Sequence, residues 1–401
     1  MRSPSRHGLG WSFVFAGLLL SSLCCPAATS AAARSSKSPA VGASRHVTGT
    51  ASAATSGVCL SQVQLAQLTT RRLARLVIVD PVDEGDVGSL SGEVASGIGG
   101  IILLGSDATA ALGSELHQLL LLAPPGRVPF VMVDQEGGAV QRLVATIGQI
   151  PSARTMGSTM TPAAIEVLAT NLGAKLRRLG VTMDLAPVLD LDGAPGPNSI
   201  DADGTRSFSV TGSIATADGL AFARGLLRAG VLPVLKHFPG LGGASGNTDL
   251  GPAATKPYVG LGTAGVQPFS AAIAAGAPAV MIANATVPGL TSRPASLSRV
   301  VITGLLRHKL GFSGLVLTDS LSVPSITAAG YNLPKAAVAA LRAGTDEVLF
   351  NATPSAVASD NKAIVAGILH AVARHKLSRA TLLAAAGVDE AARDAIAACA
   401  P

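Results

Sequence analysis

The segment from Lys236 to Asp249 carries the side chains best suited to chemistry. Lys236-His237-Phe238-Pro239-Gly240 supplies a cation, an imidazole and a rigid turn, and a Gly-rich loop then leads to Asn247 and Asp249. An apolar run at 231–235 precedes this cluster. A buried strand that ends in polar groups and a flexible loop is how α/β barrels present an active site. The segment therefore predicts functional residues at the C-terminal end of a strand.

Eight short apolar runs, separated by amphipathic helical patterns, predict the strands that position this segment. The runs are 76–79, 98–104, 130–133, 181–189, 231–235, 279–282, 315–317 and 348–350. Most are continuously apolar, as expected for parallel strands that are covered on both faces. The repeat predicts an α/β fold with a single (β/α)8 TIM barrel. The alternative is a doubly wound open sheet, although no G-x-G-x-x-G follows the first run.

Polar residues at the ends of these runs suggest a common site. Asp134, Asp190, Asn284, Asp319 and Asn351 each follow or end an apolar run. In a barrel such positions converge on one mouth. Any one of them could instead begin a turn or cap a helix.

Composition restricts the class of protein. The chain has 401 residues, 48% of them hydrophobic but only 3% aromatic, so the core must be built mainly from aliphatic side chains. The net charge of +6 falls to about +4 if Arg2 and Arg6 are removed with a leader. No dense basic run with interleaved aromatic residues occurs, which argues against nucleic-acid binding.

The N-terminus has the pattern of an export signal. Residues 1–33 combine Arg2 and Arg6 with the apolar segment Trp11–Leu23, which is too short to span a membrane comfortably. One interpretation is that Cys24 or Cys25 carries a lipid anchor. The other is that both cysteines are removed with the signal. Residues 34–56 are rich in Ser, Ala and Thr and predict a disordered linker. A barrel domain is then expected over 57–401.

Two further cysteines, Cys59 and Cys399, lie near the ends of the predicted domain. Export brings a protein into an oxidising environment, and a closed barrel brings its first and last elements together. We expect a Cys59–Cys399 disulfide; the alternative is two buried thiols.

Several motifs in order resemble one enzyme family. They are Asp134-Gln135-Glu136-Gly137-Gly138, Ala186-Pro187-Val188-Leu189-Asp190, Arg206-Ser207-Phe208, Lys236-His237-Phe238-Pro239-Gly240, Pro294-Ala295-Ser296-Leu297-Ser298, and Gly311-Phe312-Ser313-Gly314 leading to Thr318-Asp319. Together they resemble the N-terminal catalytic domain of glycoside hydrolase family 3, and most closely its NagZ-like β-N-acetylhexosaminidases. The resemblance covers roughly residues 60–355. The Ala-rich, exported form looks like an actinobacterial member.

This resemblance implies a retaining mechanism with Asp319 as the nucleophile. It also implies that Asp134, Arg206, Lys236 and His237 bind the sugar. Taken alone, Asp319 could cap a helix, Arg206 could pair with Asp203 or Asp201, and His237 could be a core histidine. No cofactor is expected, and no His/Cys cluster has metal-ligand spacing. We expect a monomer.

The loop departs from the family pattern, which has Asp-x-His where this chain has Asn247-Thr248-Asp249. The histidine is the family's general acid/base. Leu241 likewise replaces a histidine, and Ser320 replaces a frequent second aspartate. Three interpretations remain open. Asp249 could be the acid/base, oriented by Asn247; another carboxylate such as Glu136 could serve; or the protein could be an inactive or weak glycan binder.

The sequence thus predicts an exported retaining β-glycosidase. Its expected substrate is terminal non-reducing β-N-acetylglucosamine on cell-wall glycan fragments. A β-glucosidase-type specificity is the alternative within enzymes. The low aromatic content argues against an open sugar-binding groove.

Overall fold

The structure, a computed structural model, describes residues 59–397 apart from the side chain of Thr263. The predicted signal at 1–33, the predicted linker at 34–56 and Cys399 lie outside the described residues. Within the described residues, no helix is long and apolar enough to cross a membrane.

Eight parallel strands form the centre of the fold. They are β1 Ile78–Val82, β2 Gly100–Leu103, β3 Phe130–Val133, β4 Met183–Asp184, β5 Leu232–Phe238, β6 Ala279–Ile282, β7 Leu315–Thr318 and β8 Val348–Leu349. Their order in the sheet is β8-β1-β2-β3-β4-β5-β6-β7. A parallel bridge between Leu317 and Glu347 joins β7 to the residue before β8 and completes the ring. The (β/α)8 prediction is confirmed, and the open sheet is excluded.

Helices follow and surround the strands. The α-helices are Gln62–Gln67, Thr70–Leu76, Ser91–Ser96, Leu112–Leu120, Val144–Ile147, Ala153–Thr159, Pro162–Arg178, Gly212–Arg228, Tyr258–Thr263, Gln267–Ala274, Pro324–Ala328, Leu333–Ala343, Val357–Ala373 and Arg379–Ala395. Short 3-10 turns cover Val87–Leu90, Gly204–Arg206 and Ala295–Leu297, and Val300–Lys309 is a π-helix. A small hairpin pairs Gln135–Gly137 with Val140–Gln141.

Three predicted strands differ most from the strands in the structure. The first apolar run predicts a strand at 76–79, but Leu76 ends a helix and β1 runs from Ile78 to Val82. The fourth run, 181–189, contains only two strand residues. The fifth continues through Phe238, so Lys236 and His237 lie within β5 rather than after it.

The helices Pro162–Arg178 and Gly212–Arg228 show how local sequence sets the outer layer. Thr161 caps the first helix by accepting from the backbone N–H of Ala164, and Pro162 occupies the first turn. Gly225 lets the second helix approach closely. A Cβ at this position would lie 2.5 Å from the carbonyl oxygen of Glu166. The two helices therefore pack nearly backbone to backbone.

The barrel interior is filled mainly by aliphatic side chains, as the composition predicts, together with three Met and one Phe. The interior cluster is Val79, Ile102, Phe130, Met132, Met183, Leu185, Leu232, Val234, Ala279, Met281, Leu315, Leu317, Leu349 and Ile396. Ile396 follows the last helix, whose Arg393 is buried against the ring of Phe130 and donates to the carbonyls of Gly99 and Val128. Because Gly99 and Val128 precede β2 and β3, this helix closes the N-terminal end of the barrel.

Cys59, the first described residue, is disulfide-bonded. The expected partner, Cys399, is outside the described residues, so the pairing stays a prediction.

Candidate active site

A cavity of about 700 Å³ opens at the C-terminal ends of the strands. The sequence predicts seven residues that catalyse the reaction, bind the sugar or orient the loop. All seven line this cavity: Asp134, Arg206, Lys236, His237, Asn247, Asp249 and Asp319. Asn351, also predicted from its strand end, lines it as well. Asn284 and Asp190 do not; both are buried and bond to neighbouring groups.

A β-bulge explains how two consecutive residues reach the same cavity. Leu235 and Phe238 of β5 align with Val280 and Ile282 of β6, so Lys236 and His237 face the single residue Met281. Neighbouring strand residues normally point to opposite faces, and a bulge re-aims them. Both side chains therefore contribute to the cavity wall. The peptide bond between them is cis.

Lys236 belongs to a network of opposite charges. Its Nζ lies 2.6 Å from Asp134 Oδ1 and 2.6 Å from Glu136 Oε1, and only 2% of the residue is exposed. Arg206 donates to both oxygens of Glu136 at 2.8 Å. It lies farther from Asp203, at 3.8 Å. The closest ion-pair partner of Arg206 is therefore Glu136, and the sequence did not predict this pair.

This network makes Glu136 unsuitable as a general acid. Burial alone would raise the pKa of Glu136, but the charges of Arg206 and Lys236 outweigh burial and lower that pKa well below its usual range. The carboxylate therefore stays ionised and positions the two cations. The interpretation that Glu136 carries the catalytic proton is not supported.

His237 is held as a neutral imidazole. Its Nδ1 lies 2.7 Å from Asp190 Oδ2, and its Nε2 lies 3.3 Å from a guanidinium nitrogen of Arg206. Because Arg206 can only donate, this geometry assigns the proton to Nδ1. Burial first, and then Arg206, lower the pKa of His237. Asp190, beneath the cavity, also accepts from the backbone N–H of Leu241 at 2.6 Å and so fixes both the ring and the start of the loop.

Asp319 stands immediately after β7, facing the same cavity. Its backbone N–H donates to Ile282 of β6 at 3.0 Å, and its Oδ1 accepts from the backbone N–H of Ser320 at 2.7 Å. Burial, followed by the negative charge of Asp249, raises the pKa of Asp319 to about 6. A half-buried carboxylate at a strand end has the placement that a nucleophile needs.

The loop carries Asp249 to the cavity edge. Asn247 Oδ1 accepts from the backbone N–H of Asp249 at 3.0 Å, while its Nδ2 donates to the carbonyl of Asn198 at 3.2 Å. Asn247 thus orients the backbone of Asp249 and ties the loop to a second one. Leu241, at the family's histidine position, is buried among Ala202, Ala283 and Ala285.

Asp203 is a buried carboxyl that the sequence did not predict to lie beneath the site. Neither of its oxygens has a hydrogen-bond partner, and burial followed by Asp190 raises its pKa to about 8. Asp190, Asp203 and His237 have ligand atoms within 4.8 Å of one another, a spacing that a metal ion could use. However, Nδ1 of His237 carries the proton directed at Asp190, and Arg206 places a cation nearby. This arrangement disfavours a metal ion, whose absence stays a prediction.

Arg142 is a further cavity residue that the sequence analysis missed. It follows the hairpin after the Asp134 motif, and its backbone N–H donates to Gln135 Oε1 at 3.0 Å. The sequence could have indicated Arg142 as a cavity residue, because it lies eight residues after Asp134 in a polar segment.

The comparisons with known proteins indicate one enzyme family. The family description "Glycosyl hydrolase family 3 N terminal domain" matches residues 93–387. The chain is 38% identical over 291 residues to the beta-hexosaminidase LpqI of Mycobacterium tuberculosis, covering 70% of this chain and 73% of that protein. It is 35% identical over 291 residues to an uncharacterized secreted glycosyl hydrolase of Arthroderma benhamiae, covering 70% of this chain and 80% of that protein.

Solved structures give the same result. The structure of M. tuberculosis LpqI has a TM-score of 0.74 at 33% identity, covering 82% of this chain and 96% of that one. A family 3 beta-N-acetylglucosaminidase of Paenibacillus has a TM-score of 0.77 at 28% identity, covering 83% of this chain and 64% of that one. With the barrel, the ordered motifs and the family match in agreement, the chain belongs to glycosyl hydrolase family 3.

Proposed function

We propose that the protein is a retaining β-N-acetylhexosaminidase that removes terminal β-linked N-acetylglucosamine. The observation that carries this proposal is that two carboxyls, Asp319 and Asp249, line one cavity beside a network of charged and polar side chains. The negative charge of Asp249 contributes to the raised pKa of Asp319. Paired carboxyls around one sugar are what glycoside hydrolysis requires.

In the proposed first step, the carboxylate of Asp319 attacks the anomeric carbon while protonated Asp249 donates its proton to the departing glycosidic oxygen. The product is a glycosyl ester on Asp319. In the second step Asp249 removes a proton from water, and the water attacks the anomeric carbon from the face that the leaving group vacated. The ester bond to Asp319 breaks, and the sugar leaves with its configuration retained.

Asp134, Arg206 and Lys236 would hold the hydroxyls of the terminal sugar. Asp134 offers acceptor oxygens, and both cations are already fixed by Glu136, so little side-chain entropy is lost on binding. His237, neutral with its proton directed at Asp190, presents Nε2 toward Arg206 and the cavity.

The acetamido preference is supported by relatives named beta-hexosaminidase. We propose export on the basis of the N-terminal signal pattern and the secreted relative. Cell-wall peptidoglycan fragments are the substrate class that such a compartment would provide. We also propose that the enzyme acts as a monomer and needs no cofactor.

The decisive experiment compares the wild type with Asp319→Asn on 4-nitrophenyl N-acetyl-β-glucosaminide, the matching β-glucoside and N-acetylglucosamine–N-acetylmuramic acid fragments. We expect release of N-acetylglucosamine by the wild type, a preference over the glucoside, and a loss of at least about 10³-fold in Asp319→Asn. Wild-type activity no higher than that of the variant on every substrate would instead support a glycan-binding protein.

A further inference from the structure

A second pocket, of about 660 Å³, lies at the opposite end of the barrel. Its walls come from the helix Gln62–Gln67, the helix Thr70–Leu76 that leads into β1, the end of the helix Ser91–Ser96 and the turn before β3. These segments precede strands, whereas the active-site residues follow them. The pocket is therefore separate from the active site and plays no part in the mechanism above.

Three arginines, Arg72, Arg75 and Arg127, line this pocket. Among the described residues, none of the three takes part in a salt bridge. Arg127 is only 6% exposed, and its buried Nη1 has no hydrogen-bond partner. The buried Nε of Arg75 also has none, and its Nη1 makes one long bond of 3.4 Å to the carbonyl of Ser96.

The backbone has made room for the most buried of these cations. Gly97 ends the helix Ser91–Ser96 with φ +80°, and a Cβ there would lie 3.0 Å from Nη1 of Arg127. The guanidinium thus lies directly against the backbone of a left-handed glycine, where another residue would be strained and would crowd it. The contact with Gly97 restricts the position of the Arg127 guanidinium, although its Nη1 donor has no hydrogen-bond partner.

Like charges surround Arg127. Burial and then the neighbouring charges of Arg72 and Arg75 lower the pKa of Arg127, while Glu390 raises it. Glu390 is an incomplete counterion, because its Oε2 accepts from the backbone N–H of Leu60 at 3.2 Å and its charge is shared with Arg393. The buried Nη1 and Nε atoms are not open to a ligand, but desolvated cations without counterions are costly, and an anion bound in the pocket would compensate the charge of the three guanidinium groups that line it.

We propose that this pocket binds a phosphate ester. Guanidinium groups present forked N–H donors that match the oxygens of a phosphate group, and several of them around one ligand suit its tetrahedral shape and multiple charge. The volume exceeds that of a bare ion, which leaves room for the group that the phosphate is attached to. The headgroup of an anionic phospholipid and a soluble phosphate ester share this chemistry.

The test is titration of the full chain with inorganic phosphate and with glycerol phosphate by calorimetry, at constant ionic strength. Arg72→Ala is the first variant, because Arg72 is exposed and its removal leaves the fold intact. Arg127→Gln removes the buried cation. Arg71→Ala is the matched control, since Arg71 is an exposed neighbour on the same helix that does not line the pocket. We expect the Kd to rise about tenfold or more in the first two variants and to stay unchanged in the third.

Co-sedimentation with vesicles distinguishes the two sources. Binding to phosphatidylglycerol vesicles but not to phosphatidylcholine vesicles, lost in Arg72→Ala, would identify a lipid headgroup. Phosphate binding without vesicle binding would identify a soluble ester. The proposal fails if the wild type binds no phosphate, or if Arg71→Ala weakens binding as much as Arg72→Ala. Hydrolysis of an aryl glycoside should be unchanged in all three variants.

Discussion

Asp249 is the residue at which this chain differs most in chemistry from its family. The family's loop histidine is absent, and the structure brings a carboxyl to the cavity in its place. A carboxylic acid is the usual proton donor in retaining glycosidases, so we propose that this replacement changes the donor without removing the function. The hydrogen bonds of Asn247 fix the backbone at Asp249 and leave the carboxyl itself free to meet a glycosidic oxygen.

The first prediction uses the leaving group to test this role. Asp249→Asn should reduce kcat/KM by about 10²- to 10⁴-fold on an alkyl or glycan N-acetyl-β-glucosaminide, whose departing oxygen needs a proton. The 4-nitrophenyl substrate, which leaves without one, should lose far less in the glycosylation step. Leu250→Ala is the control, because Leu250 is the exposed next residue and does not line the cavity. Azide should restore turnover of the 4-nitrophenyl substrate. Equal losses on both substrates would exclude Asp249 as the acid.

The second prediction concerns pH. Asp319 must be ionised to attack, and its pKa is raised to about 6 by burial and by Asp249. On the 4-nitrophenyl substrate, which does not need the proton of Asp249, the acid limb of kcat/KM should therefore fall as the pH drops through about 6. Asp249→Asn removes the negative charge that helps to raise this pKa, so the limb should move to lower pH on the 4-nitrophenyl substrate. A limb that stays in place would show that Asp249 does not act on the nucleophile.

The sequence predicted which residues face the cavity better than it predicted their partners. Asp319 and Asp134 could be placed because motif and strand end coincide, and Lys236 could be placed from its motif. The pair of Arg206 with Glu136 joins residues 70 positions apart, and nothing local in the sequence encodes it. The sequence could not predict that Asp203 is buried without a hydrogen-bond partner, because burial at a loop position depends on the elements that cover it.

At the scale of elements, apolar periodicity predicted the strands but not where they end. Lys236 and His237 were expected beyond a strand, since buried charge is rare. They lie inside β5 because a bulge turns both toward the cavity and because Asp134, Glu136 and Asp190 supply partners. A polar residue can therefore continue a strand when other strands provide the opposite charge.

The third prediction tests the close packing of two outer helices. Gly225→Ala places a methyl group 2.5 Å from the carbonyl oxygen of Glu166, so the helices Pro162–Arg178 and Gly212–Arg228 must separate. We expect the free energy of unfolding to fall by about 1–3 kcal/mol, measured by urea unfolding. The control, Gly92→Ala, lies on an exposed helical position with open space around it and should be neutral or stabilising by up to about 1 kcal/mol. Equal stability of the two variants would contradict the packing argument.

At the scale of the whole molecule, the two ends of the barrel have different tasks. The C-terminal end holds the cavity with Asp319 and Asp249. The N-terminal end is closed by the helix Arg379–Ala395, beside the arginine pocket and the disulfide-bonded Cys59. The pairing of Cys59 with Cys399 would tie the first and last parts of the domain together, and it remains a prediction.

Arg393 joins this last helix to the barrel and compensates several buried acids. It pairs with Asp389 at 2.9 Å and lies against Phe130. Burial and then the charge of Asp389 raise the pKa of Glu347 well above its ordinary value, and burial raises the pKa of Glu390 to about 7. Arg393 lowers both pKa values through its charge. Removing Arg393 should therefore leave these acids more costly to ionise.

The fourth prediction follows from that charge balance. A carboxyl whose pKa is raised in the folded state loses stability as the pH rises through that pKa, because the unfolded chain releases its proton first. Arg393→Met should therefore lower the free energy of unfolding by about 3–5 kcal/mol near pH 8 and by clearly less near pH 5. Arg374→Met, at an exposed position shortly before the same helix, should change little at either pH. A loss that is equal at both pH values would mean that Arg393 stabilises the barrel through its packing on Phe130 and its carbonyl contacts, and not through the buried acids.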